Sequence, residues 1–228
     1  MGNTLKKYIL VTEKKWHDSL FESLEKSIDS KWTRIADKSE FTHQNLLRLQ
    51  PDKIFIPHWS NIIPSDIYLN WDCIVFHMTD LPYGRGGSPL QNLIERGHTE
   101  TVISAIKVEQ GIDTGDVYLK YPLSLAGTAE DIFIRASGII EKMIEEIIHT
   151  SPVPKKQEGE AVVFKRRKSD QSNIENLETI HQVYDFIRML DCEGYPNAYI
   201  ETKFFKLEFN KATINNNSID AYVRITKK

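Results

Sequence analysis

Two residues in this chain have the types and spacing to do chemistry together. His77 closes the apolar run CIVF, and Asp113 lies 36 positions later in the glycine-flanked turn GIDTGD (111–116). An imidazole with an ordinary pKa near 6.5 can take or give a proton at neutral pH, and a nearby carboxylate can orient it or share its proton. A lone histidine is more often packed than catalytic. Here a second ionisable group follows a second apolar run, glycines bracket both positions, and a helix start at Ser88-Pro89 comes directly after the loop TDLPYGRGG. Together these features favour an acid–base transfer site.

The elements that must position this pair read as alternating strands and helices. KYILV (7–11), KIFIPHW (53–59) and CIVFHMT (73–79) are apolar runs of strand length, the last two suited to burial on both faces. WHDSLFESLEKSI (16–28) carries Leu20, Leu24 and Ile28 on one side of a helix, and FTHQNLLRLQ predicts a second helix after a short WTRIA segment. PLQNLIERG, capped by Ser88, predicts a helix ending at Gly97. TVISAIKV (101–108) and DVYLKYPLSL (116–125) are further strands. A helix over 128–150 opens on a Thr128…Asp131 cap and carries a core stripe of Ile132, Ala136, Ile139, Met143 and Ile147. The pattern predicts an α/β fold with a Rossmann-like, mostly parallel sheet over residues 1–150. SPVPKKQEGE (151–160) is a linker, and 161–228 is a small α+β appendage with a helix near 177–190, strands in AYIETKFFKLEF and AYVRITKK, and a turn at NNNS. In an open sheet, ligands bind beyond the carboxyl ends of the strands, so His77 and Asp113 would share a crevice if their strands are neighbours.

The wording of these segments resembles a known family, the 10-formyltetrahydrofolate-dependent formyltransferases. That family carries Asn-x-His-x-Ser-Leu-Leu-Pro, then Arg-Gly-x-x-Pro, then Gly-Leu-Asp-Thr-Gly-Asp. This chain reads Val75-Phe76-His77-Met78-Thr79-Asp80-Leu81-Pro82, then Arg85-Gly86-Gly87-Ser88-Pro89, then Gly111-Ile112-Asp113-Thr114-Gly115-Asp116. The resemblance implies the formyltransferase fold, 10-formyltetrahydrofolate as formyl donor, no metal, and His77 and Asp113 as the catalytic pair. An amine attacks the formyl carbon, a tetrahedral oxyanion forms, and a proton leaves the amine as tetrahydrofolate departs. Which of the pair takes that proton is left open. The pterin-binding loops correspond to Trp59, Ser60, Asn61, Ile62 and Ile63, and to Val108, Gly111, Ile112 and Asp113. Trp59 reads equally well as a core tryptophan. Thr79, Arg85, Gly86 and Gly87 are the substrate-side residues of the motif, Arg85 reading also as a loop anchor, and Arg166 and Arg167 of the basic run KRRK (165–168) read equally as a pyrophosphate contact or as a solvated turn. One position departs from the family: Val75 stands where the asparagine that polarises the formyl oxygen belongs. Losing such a donor costs about 100- to 1,000-fold in rate, and Asn61 and Asn92 are candidate replacements.

Composition sets the expected acceptor. The chain has 228 residues, with 29 basic against 32 acidic side chains and a net charge of −3. A large nucleic-acid surface usually shows as a basic domain or face, and only about 70 residues follow the linker, so tRNA and other nucleic acid are not expected as partners. RMLDCEGYPNAYI (188–200) is similar to a segment of sugar formyltransferases. The expected acceptor is therefore a nucleotide-linked 4-amino-4,6-dideoxy sugar, specifically a UDP-linked 4-amino-4,6-dideoxy-L-AltNAc-type precursor of pseudaminic acid. The alternatives are an aminoacyl group on a carrier protein or tRNA, and a folate-binding protein whose site has been retired. By the same resemblance a homodimer is expected. Cys73 reads as a core thiol, and Cys73 and Cys192 form no metal-ligand spacing or disulfide framework. No segment reads as a signal peptide or membrane span, Lys6 argues against acylation at Gly2, and a cytoplasmic location follows.

Overall fold

The computed structural model describes residues 5–228; Met1–Thr4, and with them Gly2, lie outside the described residues. In chain order the elements are β1 (Lys7–Val11), α1 (Asp18–Ser27), β2 (Lys31–Ile35), α2 (His43–Leu49), β3 (Lys53–Pro57), α3 (Ser65–Tyr68), β4 (Cys73–His77), β5 (Tyr83–Gly86) and α4 (Pro89–Glu95). There follow β6 (Glu100–Lys107), β7 (Val117–Ser124), α5 (Ala129–Thr150), β8 (Val162–Phe164), α6 (Ile180–Arg188), β9 (Ala198–Glu201), β10 (Phe205–Asn215) and β11 (Ser218–Lys227). The described chain divides into two compact units. The first runs up to Arg85 and adds Val102–Leu123 and Ile134–Val163; the second comprises Gly86–Thr101, Ser124–Phe133 and Phe164–Lys228.

The first unit is built on a six-stranded sheet of order β2-β1-β3-β4-β6-β7. The first four strands pair in parallel. Their residues explain their place: Ile9, Leu10, Val11, Ile54, Phe55, Ile56 and Ile74 are all essentially inaccessible, as strands covered on both faces must be. The sheet departs from the expected arrangement at β6, which runs antiparallel to β4 with Ile74 opposite Lys107 and His77 opposite Ser104. The carboxyl ends of β4 and β6 therefore lie at opposite ends of the ladder. In α5 the core positions are Ile132, Ala136, Ile140, Met143, Ile144 and Ile147, while Ile139 is only half-buried. The i+4 step from Ala136 to Ile140, rather than i+3 to Ile139, keeps the stripe on the packed face.

In the second unit α4 begins at Pro89, but Ser88 does not cap it. Ser88 adopts a left-handed backbone (φ 51°), and its hydroxyl accepts from the Arg167 backbone N–H at 3.1 Å. The second unit also holds a three-stranded antiparallel sheet of order β11-β10-β9, with α6 packed on β10. The start of α6 is set by a reciprocal box in which Thr179 accepts from Gln182 N–H and the Gln182 side chain accepts from Thr179 N–H.

A buried polar chain crosses the first unit. Ser137 Oγ lies 2.8 Å from His17 Nδ1, His17 Nε2 lies 2.8 Å from His58 Nδ1, and His58 Nε2 lies 3.1 Å from Met78 Sδ. A thioether sulphur can only accept, so His58 Nε2 carries its proton and Nδ1 accepts from His17 Nε2–H. His17 Nδ1 then accepts from the Ser137 hydroxyl. Both rings are neutral in this arrangement. Burial pushes His58 down to about 3, aided by the Lys14 and His77 charges. Burial, then His58 and Arg34, hold His17 well below the ordinary imidazole range. In the unfolded chain both titrate near 6.5, so no stability is lost above that pH. Below it the unfolded state binds protons that the native state refuses, which costs about 2 kcal/mol for His58 by pH 5, with His17 acting in the same direction. The melting temperature should therefore fall steeply between pH 7 and pH 5, and His58→Gln should lessen that fall. A melting temperature that is flat over this interval would contradict the neutral pair.

Candidate active site

His77 is the last residue of β4, and its side chain is only 8% exposed. Its Nε2 lies 2.8 Å from the Gly84 carbonyl oxygen. A carbonyl only accepts, so Nε2 is the protonated nitrogen and Nδ1 is the basic one. Nδ1 faces Asp113 Oδ2 at 3.5 Å. With the imidazole neutral, a lone pair is left beside a carboxylate, ready for a proton from a third group. With the imidazole protonated, the same geometry is an ion pair.

Because β6 is antiparallel to β4, Asp113 does not arrive from a neighbouring strand end. It is carried by the hairpin between β6 and β7, closed by Lys107 N–H to Asp116 O at 2.9 Å and tied to β4 by Val108 N–H to Cys73 O at 2.8 Å. Asp113 takes a left-handed backbone (φ 53°), as does Gly111 (φ 107°). For a residue with a Cβ this conformation is costly and must be imposed by its surroundings. A Cβ added to Gly115 would stand 1.7 Å from the Lys107 carbonyl oxygen, so only glycine allows the hairpin to close there.

The two loops matched to pterin binding rest on one apolar cluster in the first unit. Trp59, Ile63, Val75 and Val108 pack against Ile9, Val11, Ile54, Ile56 and Cys73. Trp59 is half-buried and meets Phe41 edge-on at 5.9 Å between ring centres. Ser60 and Gly111 are exposed and Asn61 is half-buried. At the loop tips Ile62 and Ile112 are 83% and 65% exposed. These half-packed walls and bared isoleucines offer apolar surface with backbone groups at hand, which fits a flat, amide-like ring.

The remaining motif residues fall into two groups. In the first unit Thr79 is fully buried. Its hydroxyl donates to Gly84 O at 3.3 Å and its carbonyl accepts from Ser104 Oγ at 2.8 Å, so it braces the loop rather than facing a substrate. Arg85 donates from Nε and Nη2 to Gln157 Oε1 at 3.1 and 2.7 Å. Gly86, Gly87, Arg166 and Arg167 belong to the second unit. Gly87 N–H donates to Phe164 O at 3.1 Å, and a Cβ there would lie 2.6 Å from that of Arg166. Arg166 is exposed. Arg167, expected to hold a substrate, is instead committed internally: it pairs with Glu95, donates to Gln171 O at 2.7 Å and lies over the Phe186 ring at 5.1 Å. Asn92 is likewise spent. Its Nδ2 shares its two hydrogens among the carbonyls of Gly87, Ser88 and Lys165 and its Oδ1 accepts from Arg96, so it is no replacement for the asparagine missing at Val75.

One site residue escaped the sequence reading. Gln157 lies in the stretch read as a linker, yet its Nε2 donates to Asp113 O at 2.9 Å and Gly115 O at 2.8 Å. The Pro- and Lys-rich composition around it masked a strap that pairs at Lys155 with Val117. Among the described residues no group of three or more His, Cys, Asp or Glu could hold a metal ion, and no helix is long and apolar enough to cross a membrane.

The fold is α/β with a mostly parallel central sheet, and its candidate site pairs an imidazole with a carboxylate. Comparison with known proteins gives the family. The family model described as formyl transferase matches residues 10–132, and one described as the methionyl-tRNA formyltransferase C-terminal domain matches residues 169–226. The chain belongs to the formyl transferase family, enzymes of one-carbon transfer. A methionyl-tRNA formyltransferase of Clostridium botulinum is 27% identical over 190 residues, 80% of this chain and 60% of that protein. The chain thus spans about 60% of the length of this curated relative. A solved structure of methionyl-tRNA formyltransferase from Clostridium thermocellum superposes with a TM-score of 0.95 at 51% identity, covering 98% of this chain and all of that one. A sugar N-formyltransferase from a Shewanella species shares the fold, with a TM-score of 0.66 over 98% of each chain, but only 16% identity.

These findings overturn the nucleotide-sugar acceptor and the exclusion of nucleic acid. Two physical reasons account for the misreading. Net charge averages over the chain, whereas residues 203–228 hold six Lys or Arg against two Asp or Glu, a net +4. The sugar-like segment at 188–200 is scaffold: Arg188 donates to the Leu125 and Gly127 carbonyls at 2.6 and 2.9 Å, and Asp191 accepts from the backbone of Glu130 and Lys211. Gly115→Ala should leave the parallel strands folded but lower turnover at least 100-fold, measured by circular dichroism and by formyl transfer. Wild-type turnover in that variant would mean the hairpin does not place Asp113.

Proposed function

We propose that this protein transfers the formyl group of 10-formyltetrahydrofolate to the α-amino group of methionyl-tRNA, in the cytoplasm. The observation that carries this reading is the 51% identity, over the whole of both chains, to a methionyl-tRNA formyltransferase. The C-terminal-domain match at 169–226 supports it. The two family matches also support reading 1–150 as the catalytic domain and 161–228 as a small C-terminal region.

The geometry supports the following roles. The loops at 59–63 and 108–113 would hold the donor against the apolar cluster, and the bound donor supplies the formyl carbon. His77 Nδ1 takes the proton of the attacking amine, since Nε2 is occupied by the Gly84 carbonyl. Asp113 stabilises the resulting imidazolium from 3.5 Å. That proton then serves the nitrogen from which the formyl group leaves.

The C-terminal sheet has the chemistry of an RNA surface. Lys203 lies over Phe204, Lys206 over Tyr199 and Lys211 over Tyr222, at 5.2, 4.6 and 5.5 Å from the ring centres. Phe204 and Tyr222 are exposed. Cations held at aromatic faces suit phosphates and unstacked bases.

Mass spectrometry after incubation with 10-formyltetrahydrofolate should show one formyl group gained by methionyl-tRNA and none by UDP-linked amino sugars. His77→Ala and Asp113→Ala should each lower the rate at least 1,000-fold with folding intact. Formylation of the sugars alone would contradict the reading. Lys211→Ala/Arg224→Ala/Lys227→Ala should raise KM for methionyl-tRNA about tenfold and flatten its salt dependence, leaving kcat within about twofold. An unchanged KM would remove the C-terminal sheet from tRNA binding.

A further inference from the structure

We infer that Gln157 is a positioning residue for the catalytic pair, acting through Asp113, whose loop it ties into a circuit of contacts that returns to His77. Starting at His77, Nε2–H donates to Gly84 O, and the peptide bond leads to Arg85. The Arg85 guanidinium donates twice to Gln157 Oε1. Gln157 Nε2 donates to Asp113 O and Gly115 O, and the Asp113 carboxylate returns to His77 Nδ1 at 3.5 Å. Every residue of the circuit lies in the first unit.

Only a primary amide satisfies this position. Its oxygen has two lone pairs, both directed at a guanidinium that can only donate. Its nitrogen has two hydrogens, both directed at carbonyls that can only accept. The partners therefore fix the amide orientation, and a flip would set donor against donor and acceptor against acceptor. The two carbonyls it grips flank the site of strain. Asp113 is held in the left-handed region, and Gly115 touches Lys107 so closely that no side chain is admitted. A left-handed aspartate relaxes readily unless its peptide is held, and relaxation swings the carboxylate away from Nδ1. At 3.5 Å that contact has no slack to lose.

This inference rests on the formyl-transfer reading for its kinetic test but not for its spectroscopic one. Gln157→Leu keeps the volume and removes all four hydrogen bonds. Gln157→Glu keeps the Arg85 contact and sets a carboxylate oxygen against two carbonyls. Both should lower kcat 10- to 100-fold, with KM for 10-formyltetrahydrofolate and methionyl-tRNA within about twofold. Asp113→Asn/Gln157→Leu should be no slower than Asp113→Asn, because Gln157 acts only through Asp113. In the imidazole ¹⁵N spectrum, read with or without activity, His77 Nδ1 of Gln157→Leu should move toward its position in Asp113→Asn. The inference is overturned if Gln157→Leu lowers only the melting temperature, if its effect multiplies that of Asp113→Asn, or if the Nδ1 resonance stays at its wild-type position. A wild-type protein that formylates nothing while the Nδ1 resonance responds as described would sink the functional reading and leave the circuit standing.

Discussion

The hydrogen bond from His77 Nε2 to the Gly84 carbonyl decides what the rest of the site can do. It engages one imidazole nitrogen and leaves the other, Nδ1, facing Asp113. Everything around it serves to keep that arrangement useful. Thr79 shares the same carbonyl, Ser104 holds Thr79 from the neighbouring strand, and the β6–β7 hairpin brings a carboxylate to the nitrogen left over. A parallel sheet with neighbouring strand ends would have supplied the two groups directly. This protein uses an antiparallel strand and a strained loop instead, and so needs something to hold the loop. The strap at 155–157 holds it.

The fold was legible because its signals are local and redundant. Continuous apolar runs at 53–57 and 73–77 admit few environments other than a strand covered on both faces, and the Thr128…Asp131 cap is realised in both directions, with Asp131 accepting from Thr128 and donating its backbone N–H back. Strand direction was not legible. Periodicity says that TVISAIKV is a strand, but no residue in it says which way it runs beside CIVFH. Ser88 shows the same limit on a smaller scale: Ser-Pro before an apolar run is a sound cap signature, yet tertiary pairing with Arg167 took the hydroxyl away.

The meeting of His77 and Asp113 was legible in the sequence, and the residue that ties their segments together was opaque. His77 and Asp113 carry chemistry in their side-chain types. Gln157 carries none of its own, and its role comes from four hydrogen bonds to segments 42 to 72 positions away. The basic run showed the reverse error. Arg167 has the type of a phosphate ligand, but Glu95, the Gln171 carbonyl and the Phe186 ring consume it. The acceptor was misjudged because a whole-chain charge of −3 conceals a net +4 over residues 203–228, the part with exposed aromatic rings beside lysines. Charge must be placed before it can exclude a partner.

The proposed proton transfer depends most directly on which imidazole nitrogen of His77 bears the proton when the ring is neutral. Imidazole ¹⁵N spectra of the wild-type protein, with His77 assigned through His77→Asn, answer this without substrate or turnover. The Gly84 hydrogen bond predicts the Nε2–H tautomer, leaving Nδ1 as the lone-pair nitrogen facing Asp113. A neutral His77 protonated at Nδ1 would contradict it, because the base would then point at a backbone carbonyl and could take no proton from an amine.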